Sequence, residues 1–403
     1  MAMKVVQSNA GSQSAAREQL LERARALVPA LRERAQRCEE LRRLPDETIR
    51  DLHRSGLFRM LQPRRVGGAE LDYTILIDAC AEVSRGCGST GWVLGNLAAH
   101  HWMLAMWPKA AQDEVWNVSP DELIGSSVVF PSGSALRVDG GYRLSGRWPF
   151  SSGIDPCTWN MLGGIVHGED PETHEYRLFL LPRADYQVID TWRAAGLRGT
   201  GSHDVTANDV FVPEHRTIAV EDTKGGPTPG AEANPSALYR IPLFATFPYM
   251  LSGVALGIAQ GTLELFTESL THRVTRYSGR VASDFTTVQM HIAESSACID
   301  AARLIMRANC DQVQRTAEAR QVPDMMTKAR YRRDGAFSTE LCVRAVDTLF
   351  VASGGGGLYE ANPIQRAFRD VHAAAAHISM IWDAAATTYG RVALGLSSDN
   401  PTL

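Results

Sequence analysis

The sequence predicts an α+β protein in which helical first and last thirds flank a β-rich middle, the last third forming a four-helix bundle. Three observations carry this reading. Apolar residues recur three and four apart between Ala16 and Pro120. Short β-branched and aromatic runs punctuated by Gly, Pro, Asp and Asn fill Ile124 to Ala219. From Ile241 onward, four long segments repeat apolar residues with the heptad-like spacing of bundle helices. The expected domains are residues 1–120, 121–225 and 226–403.

Taken in order, Val5 to Ser14 is polar and small, so ordered structure is expected from about Ala15. Ala16 to Arg43 then alternates Leu and Ala with Arg and Glu at helical spacing. Pro45-Asp46-Glu47 opens a helix that Ser55-Gly56 closes, and Leu71 to Ser84 carries the next. Tyr142-Arg143-Leu144, Trp159 to Val166 and Tyr176 to Leu181 read as strands. Glu221 to Ser236, rich in Gly, Pro, Thr and Ala, reads as a connecting loop. The bundle helices are expected at Pro248–Arg273, Thr287–Ala317, Met325–Ser353 and Pro363–Leu394.

The 403 residues, 44% of them hydrophobic, suffice for a large core. A formal net charge of -4 leaves no basic excess to neutralise a phosphate backbone, which argues against nucleic acid as a partner. Seven scattered cysteines without a C-x-x-C pair suit free thiols in a reducing cytoplasm. No leader pattern and no uninterrupted membrane-length apolar run are seen, so a cytoplasmic protein without a membrane partner is expected. No G-x-G-x-x-G follows an expected strand, and Gly354 to Gly357 lies between helical segments, so no nicotinamide site is expected. No metal site is assigned.

Several motifs carry chemistry. Leu57-Phe58 through Gln62-Pro63 to Gly67-Gly68, Gly196-Leu197-Arg198-Gly199-Thr200-Gly201-Ser202 and Asn208-Asp209-Val210-Phe211-Val212-Pro213 together resemble the acyl-CoA dehydrogenase superfamily over nearly the full chain. That resemblance implies a β-barrel or sandwich for the middle domain. Leu41 to Glu47, Gly88-Ser89-Thr90-Gly91-Trp92, Ser151-Ser152-Gly153 and Arg366 to His377 are more similar to the oxygenases of two-component flavin-dependent monooxygenases, such as those acting on 4-hydroxyphenylacetate and on secosteroids. A dehydrogenase needs a carboxylate base opposite flavin N5. The two positions where the superfamily places it align with Ile378 and Phe247, neither of them acidic. This argues against acyl-CoA dehydrogenation.

The resemblance implies a diffusible cosubstrate, reduced FMN or reduced FAD, supplied by a separate NAD(P)H:flavin reductase. Its reaction with O2 gives a C4a-hydroperoxide that hydroxylates an aromatic substrate. Ser152 then falls at flavin N5, with Ser151 and Phe150, where the family has Trp, beside the ring. His377 and Ile378 fall at the C4a edge, and Trp92 touches the flavin. Arg273 or Arg276, with Gly355 and Gly356, would bind phosphate. On the substrate side, His100 is the expected base towards a phenol and Ser127 its hydroxyl partner. The register leaves His101 and Ser126 open as alternatives. His372, five residues before His377, turns to another face of an ideal helix and is expected to be structural.

Plainer readings stand beside these. Ser151-Ser152-Gly153 could be only a turn, Trp92 core packing, His100-His101 a packed pair, His377 a satisfied helix residue and the arginines solvated. The 4-hydroxyphenylacetate enzyme has an Arg aligned with Phe247. Here Phe244, Phe247, Tyr249 and Met250 make that wall apolar, which favours a larger, mostly uncharged polycyclic phenol. An N-oxygenase of amines, an acyl-CoA dehydrogenase and a flavin-free scaffold are the alternatives. The resemblance also implies a homotetramer, with a neighbouring subunit completing the flavin site and alanine-rich stretches such as Val371 to Ala376 allowing close helix approach.

Overall fold

Helix α1 (Ala2–Leu41) opens the chain in the computed structural model, which describes residues 2–168, 174–270, 279 and 281–403, with side chains from residue 13. It begins well before Ala15. Once the amphipathic stretch has nucleated, adding each helical residue costs little, even through the polar segment before it. Helix α2 (Asp46–Ser55) is entered through Pro45 and ends at Gly56, whose φ of 76° is the left-handed conformation of a helix C-cap. Helices α3 (Thr74–Ser84), α4 (Gly88–Leu104) and α5 (Lys109–Trp116) follow, and every residue of α4 is buried.

The middle of the chain forms β1 (Ile124–Ser127), β2 (Gly133–Val138), β3 (Gly141–Ser151), β4 (Trp159–His167), β5 (His174–Pro182), β6 (Gln187–Ile189), β7 (His203–Pro213) and β8 (Thr217–Ala219). They make a single sheet in the order β6-β7-β3-β2-β4-β5-β8, with β1 added parallel to β4 so that Ile124 faces Trp159 and Ser127 faces Leu162. Between β8 and the bundle the chain has only short helical turns, the loop expected from its Gly and Pro content.

The bundle consists of α6 (Leu243–Thr246), α7 (Pro248–Leu270), α8 (Thr286–Glu318), α9 (Met325–Ala352), α10 (Pro363–Ala375) and α11 (Trp382–Ala393). Two sequence expectations are corrected here. The run Leu243–Leu270 does have the length and mean hydropathy, 1.4, of a membrane span, but 94% of its most apolar window is buried inside the protein, against α3, α9 and α10. The single helix expected over Pro363–Leu394 is broken at 376–381. There the His377 ring accepts the Ser379 N–H at 3.1 Å, and the His377 carbonyl accepts the Met380 N–H. A side chain that captures backbone N–H groups offers the chain an alternative to the helical ladder. That break sets the position of His377.

Candidate active site

Strand β3 pairs with β7 up to Trp148 opposite Val205, slips, and resumes at Ser151 opposite His203. Phe150 sits in the slip with φ +65°, a conformation that costs a bulky residue about 1–3 kcal/mol and is held by its surroundings. Its ring is 61% exposed and meets Trp192 edge-on at 6.3 Å. The bulge turns the next two residues inward, so Ser151 and Ser152 are both buried. Ser127 Oγ donates to the Pro149 carbonyl at 2.6 Å, bracing β1 against the bulge. Ser126, on the opposite face of β1, is buried too. Gly153 follows at φ +68°, where a Cβ would stand 2.8 Å from Val93 Cγ1. The serines therefore do form a turn, and a strained one that aims Ser152 into the protein.

Ser152 ends a directed chain of hydroxyls. Thr200 Oγ1 donates to the Leu197 carbonyl at 2.9 Å, which commits its only proton. It must then accept from Ser202, 2.7 Å away, and Ser202 must accept from Ser152 at 2.8 Å. Trp92 Nε1 donates to Ser152 Oγ at 3.0 Å. The Ser152 proton is thus used, and one lone pair remains. Such an oxygen can accept an N–H but cannot donate.

Trp92 also faces His377, with ring centroids 5.8 Å apart. Because His377 Nδ1 accepts the Ser379 N–H, the imidazole proton is on Nε2, and His377 is a donor. Desolvation, with Arg332 as a second contribution, pulls its pKa down to about 4, so the ring is neutral at pH 7. Helix α10 is pinned to the loop carrying Thr200 and Ser202. Leu197 N donates to buried Asp370 Oδ1 at 2.6 Å, and Arg369 Nη1 donates to the Ala195 carbonyl and pairs with Glu39. Burial pushes Asp370 up to about 7, with the Leu197 N–H opposing. Gly196 is required for this approach: a Cβ there would lie 2.0 Å from the Arg369 carbonyl oxygen. This contact explains why the Gly196–Ser202 motif and the Arg369-Asp370 pair belong together.

His100 and His101 differ in their partners, and so in their tautomers. His100 Nδ1 lies 2.5 Å from the Ile124 carbonyl, which can only accept, so the proton is on Nδ1 and Nε2 is a bare acceptor. His101 Nδ1 accepts from Trp116 Nε1 at 3.2 Å, so its Nε2 is a donor. Both rings are fully buried, and neither Nε2 has a partner among the described residues. Burial draws the pKa values down to about 4 for His100 and about 3 for His101. Of the two, His100 presents a bare ring nitrogen and His101 an N–H. Trp92, Asn96 and His100 form one stripe of α4, spanning roughly 12 Å of helix axis; Asn96 Nδ2 donates to the Trp92 carbonyl at 2.8 Å.

The remaining expected residues divide. Phe247 and Met250 are buried where α6 meets α7; Met250 Sδ lies 2.7 Å from where a Gly95 Cβ would be, against α4. Phe244 meets Phe130, just beyond β1, at 5.9 Å. Ile378 is 67% exposed beside His377. Gly355 and Gly356 are exposed at the end of α9, and a Cβ on either would meet nothing within 4 Å, so this chain alone does not bring them to the group. Arg273 and Arg276 lie outside the described residues. His372 is exposed and pairs with Asp347 at 2.8 Å. The ideal-helix rotation does not explain its separation from His377, because α10 ends between them; its partner places it apart.

Sequence reasoning passed over Thr200, Ser202, Asn96 and Arg332. The first two were inside a quoted motif, whereas the last two had no local signal. Two clefts open nearby: one of about 150 Å³ beside Arg85 and Asp370, and one of about 290 Å³ between Arg43, Arg50 and Gly153. The second touches the hydroxyl chain, at Thr200, beside Val93 and Gly153.

A fixed acceptor at Ser152, a donor at His377 and an indole between them fit the edge of a reduced flavin, whose N5 bears a hydrogen. The comparisons give the family. Residues 14–117 match the acyl-CoA dehydrogenase N-terminal domain and residues 249–382 the acyl-CoA dehydrogenase C-terminal domain. The flavin-dependent monooxygenase oxygenase subunit HsaA of Rhodococcus jostii is 37% identical over 378 residues, 93% of this chain and 98% of that protein. The oxygenase component of an FADH2-dependent resorcinol hydroxylase from a Rhizobium species is 37% identical over 391 residues, 94% of each chain. The structure of XiaF from a Streptomyces species, in complex with FADH2 and glycerol, superposes with a TM-score of 0.90 at 29% identity, covering 98% of this chain and 100% of that one. With the acyl-CoA dehydrogenase fold, no acid at either dehydrogenase position and this degree of identity, the chain belongs to the oxygenase components of the flavin-dependent monooxygenases.

Proposed function

We propose that this oxygenase hydroxylates a phenolic, polycyclic aromatic substrate, using reduced flavin delivered by a separate NAD(P)H:flavin reductase. Reduced flavin and O2 together supply an electrophilic oxygen atom. The protein's own part is positional and acid-base. With flavin bound, Ser152 would accept from its N5–H, and His377 Nε2–H would donate at the oxygen-carrying edge. His100 Nε2 takes the phenol proton, which enriches the ring in electrons where oxygen is transferred. The observation that carries this reading is that two neutral histidines, His100 buried and His377 half-buried, are held in opposite tautomers, His100 by the Ile124 carbonyl and His377 by the Ser379 N–H. One removes a proton and the other supplies a hydrogen bond.

Phe244, Phe247 and Met250 give the substrate wall its apolar character. The relative named for resorcinol makes single-ring phenols the control set. The test is to mix the protein anaerobically with reduced FMN or reduced FAD, add oxygenated buffer in a stopped-flow spectrometer, and repeat with phenol panels. A protein-dependent spectral transient that decays to hydroxylated product is expected. Reoxidation indistinguishable from free flavin, with either cofactor, would sink the monooxygenase chemistry; a preference for single-ring over polycyclic phenols would sink the substrate assignment.

The proposal includes assembly as a homotetramer in the cytoplasm. Val351, Leu358 and Tyr359 leave large apolar side chains exposed at the C-terminal end of α9, around Gly355 and Gly356. A second copy covering them would also complete the flavin site. Seven buried free thiols suit a reducing compartment. Light scattering that gives a monomer mass for the active fraction would remove the first part, and recovery of the protein outside the cytosolic fraction the second.

A further inference from the structure

Arg332, on α9, is nine-tenths buried and has no carboxylate partner among the described residues. Both of its hydrogen bonds leave from Nη1, to the Phe244 carbonyl at 3.2 Å and to Ser379 Oγ at 3.4 Å. Its Nε–H is buried without an acceptor among the described residues. Desolvation lowers its pKa only to about 10, so the guanidinium is still charged at neutral pH. A buried cation with no counter-charge is strongly unfavourable, and the Nε/Nη2 side of a guanidinium is a fork shaped for a carboxylate.

Its neighbours locate the missing anion. Phe244 stands on the same wall as Phe247, and Ser379 lies two residues beyond His377, whose pKa the Arg332 charge helps to lower. The cation therefore bridges the substrate wall and the turn that carries the flavin-facing histidine. Phe247 alone pointed to an uncharged substrate. The apolar wall suits the body of a fused aromatic ring system, and the charge reaches that wall from α9 instead.

We propose that Arg332 is a specificity-determining residue that binds a carboxylate on the substrate. This rests on the reading of the protein as a phenol hydroxylase. The test compares 6-hydroxy-2-naphthoic acid with its primary carboxamide, using the full-length oxygenase supplied with reduced flavin, for wild type, Arg332→Lys and Arg332→Met. Wild type should prefer the acid in kcat/KM, mostly through KM, by roughly 10- to 100-fold. Arg332→Met should lose that preference, bringing the acid-to-amide ratio of kcat/KM to about 1 whatever its absolute rates, and Arg332→Lys should restore part of it.

Equal use of acid and amide by wild type overturns the proposal, and so does an Arg332→Met variant that weakens reduced-flavin binding with the acid-to-amide ratio unchanged. Thermal stabilisation by each ligand, measured anaerobically with reduced flavin, separates the two levels. If neither naphthol is hydroxylated but the acid stabilises wild type more than the amide does, the phenol reading fails and the Arg332 site stands. If the acid stabilises no more than the amide, the site fails. Wild-type data alone decide this even if the variants do not fold.

Discussion

Replacing Ser202 with alanine should make the protein bind oxidised flavin more tightly while leaving reduced-flavin binding nearly unchanged. Thr200 donates to the Leu197 carbonyl, Ser202 to Thr200 and Ser152 to Ser202, so the Ser152 proton is committed along the chain. With Trp92 on one lone pair of Ser152, the other is free to accept N5–H of reduced flavin. Oxidised N5 has only a lone pair and would meet an acceptor. A buried acceptor left unsatisfied costs about 1–3 kcal/mol. Ser202→Ala removes the acceptor for the Ser152 proton, which can then turn to oxidised N5. Oxidised flavin should bind roughly 5- to 150-fold more tightly as a result. Reduced flavin should change by less than roughly threefold, since Ser152 can still accept. Thr200→Val, which removes only the anchor of the chain, should move the ratio in the same direction. The assay is a pair of titrations, oxidised flavin by fluorescence quenching and reduced flavin anaerobically by absorbance. An unchanged ratio in Ser202→Ala, alongside weakened reduced-flavin binding in Ser152→Ala, would show that Ser152 touches flavin but that its proton is not committed.

Two further predictions follow from the histidines. His100→Gln should lower phenol turnover by roughly 10²- to 10⁴-fold at pH 7, with recovery as the pH approaches the substrate's own pKa and with reduced-flavin binding intact. An equal loss in His101→Gln would contradict the tautomer assignment. The second concerns acid stability. Both rings titrate near 6.5 when unfolded but near 4 and 3 when folded. Their stabilising contribution is therefore complete above pH 6.5 and is lost as the pH falls towards 4. Asp370, raised to about 7, acts in the opposite sense: over this window the folded state holds a proton that the unfolded state releases above about 4. His377, also drawn down to about 4 on folding, adds a third ring in the same sense, so the difference is about two protons net, or ~2.7 kcal/mol of stability lost per pH unit below 6.5, and Asp370→Asn should steepen it to about three protons. Urea unfolding at pH 6.5, 5.5 and 4.5 measures this; a flat profile in wild type would count against the buried, neutral state of the two rings.

Much of the architecture was legible because hydrophobic periodicity reports burial directly. The strand runs and three of the four long bundle helices came from that signal alone. The break at 376–381 did not, because Ala373 to Ile378 contains neither Gly nor Pro, and the interruption depends on where the His377 ring can find the Ser379 N–H. Motif resemblance brought Ser152, His377 and Trp92 to one place but could not choose between adjacent histidines. That choice depends on the carbonyl of Ile124, a residue far along the chain. The direction of the hydroxyl chain was hidden for the same reason: Ser152, Thr200 and Ser202 become neighbours only through the pairing of β3 with β7 and the loop before β7.

Arg332 shows what local pattern leaves open. Arg330, Arg332 and Arg333 fall within one turn of α9, and two of them meet neighbouring side chains. Arg330 bonds Gln312 and lies over Tyr331, while Arg333 pairs with Asp334 and covers Tyr389 at 4.2 Å. Residues advance by about 100° each around a helix, so one member of such a cluster must point elsewhere. Here it points towards the Phe244 carbonyl and Ser379. A charge placed by helical phase alone, with no use for it, would be selected against by its desolvation cost, and leucine or methionine would fill the same volume at less expense. Its place between the Phe244 carbonyl and the turn that carries His377 is the ground for the proposed ligand: an anion that enters with the substrate restores the balance, and the desolvation cost returns as selectivity.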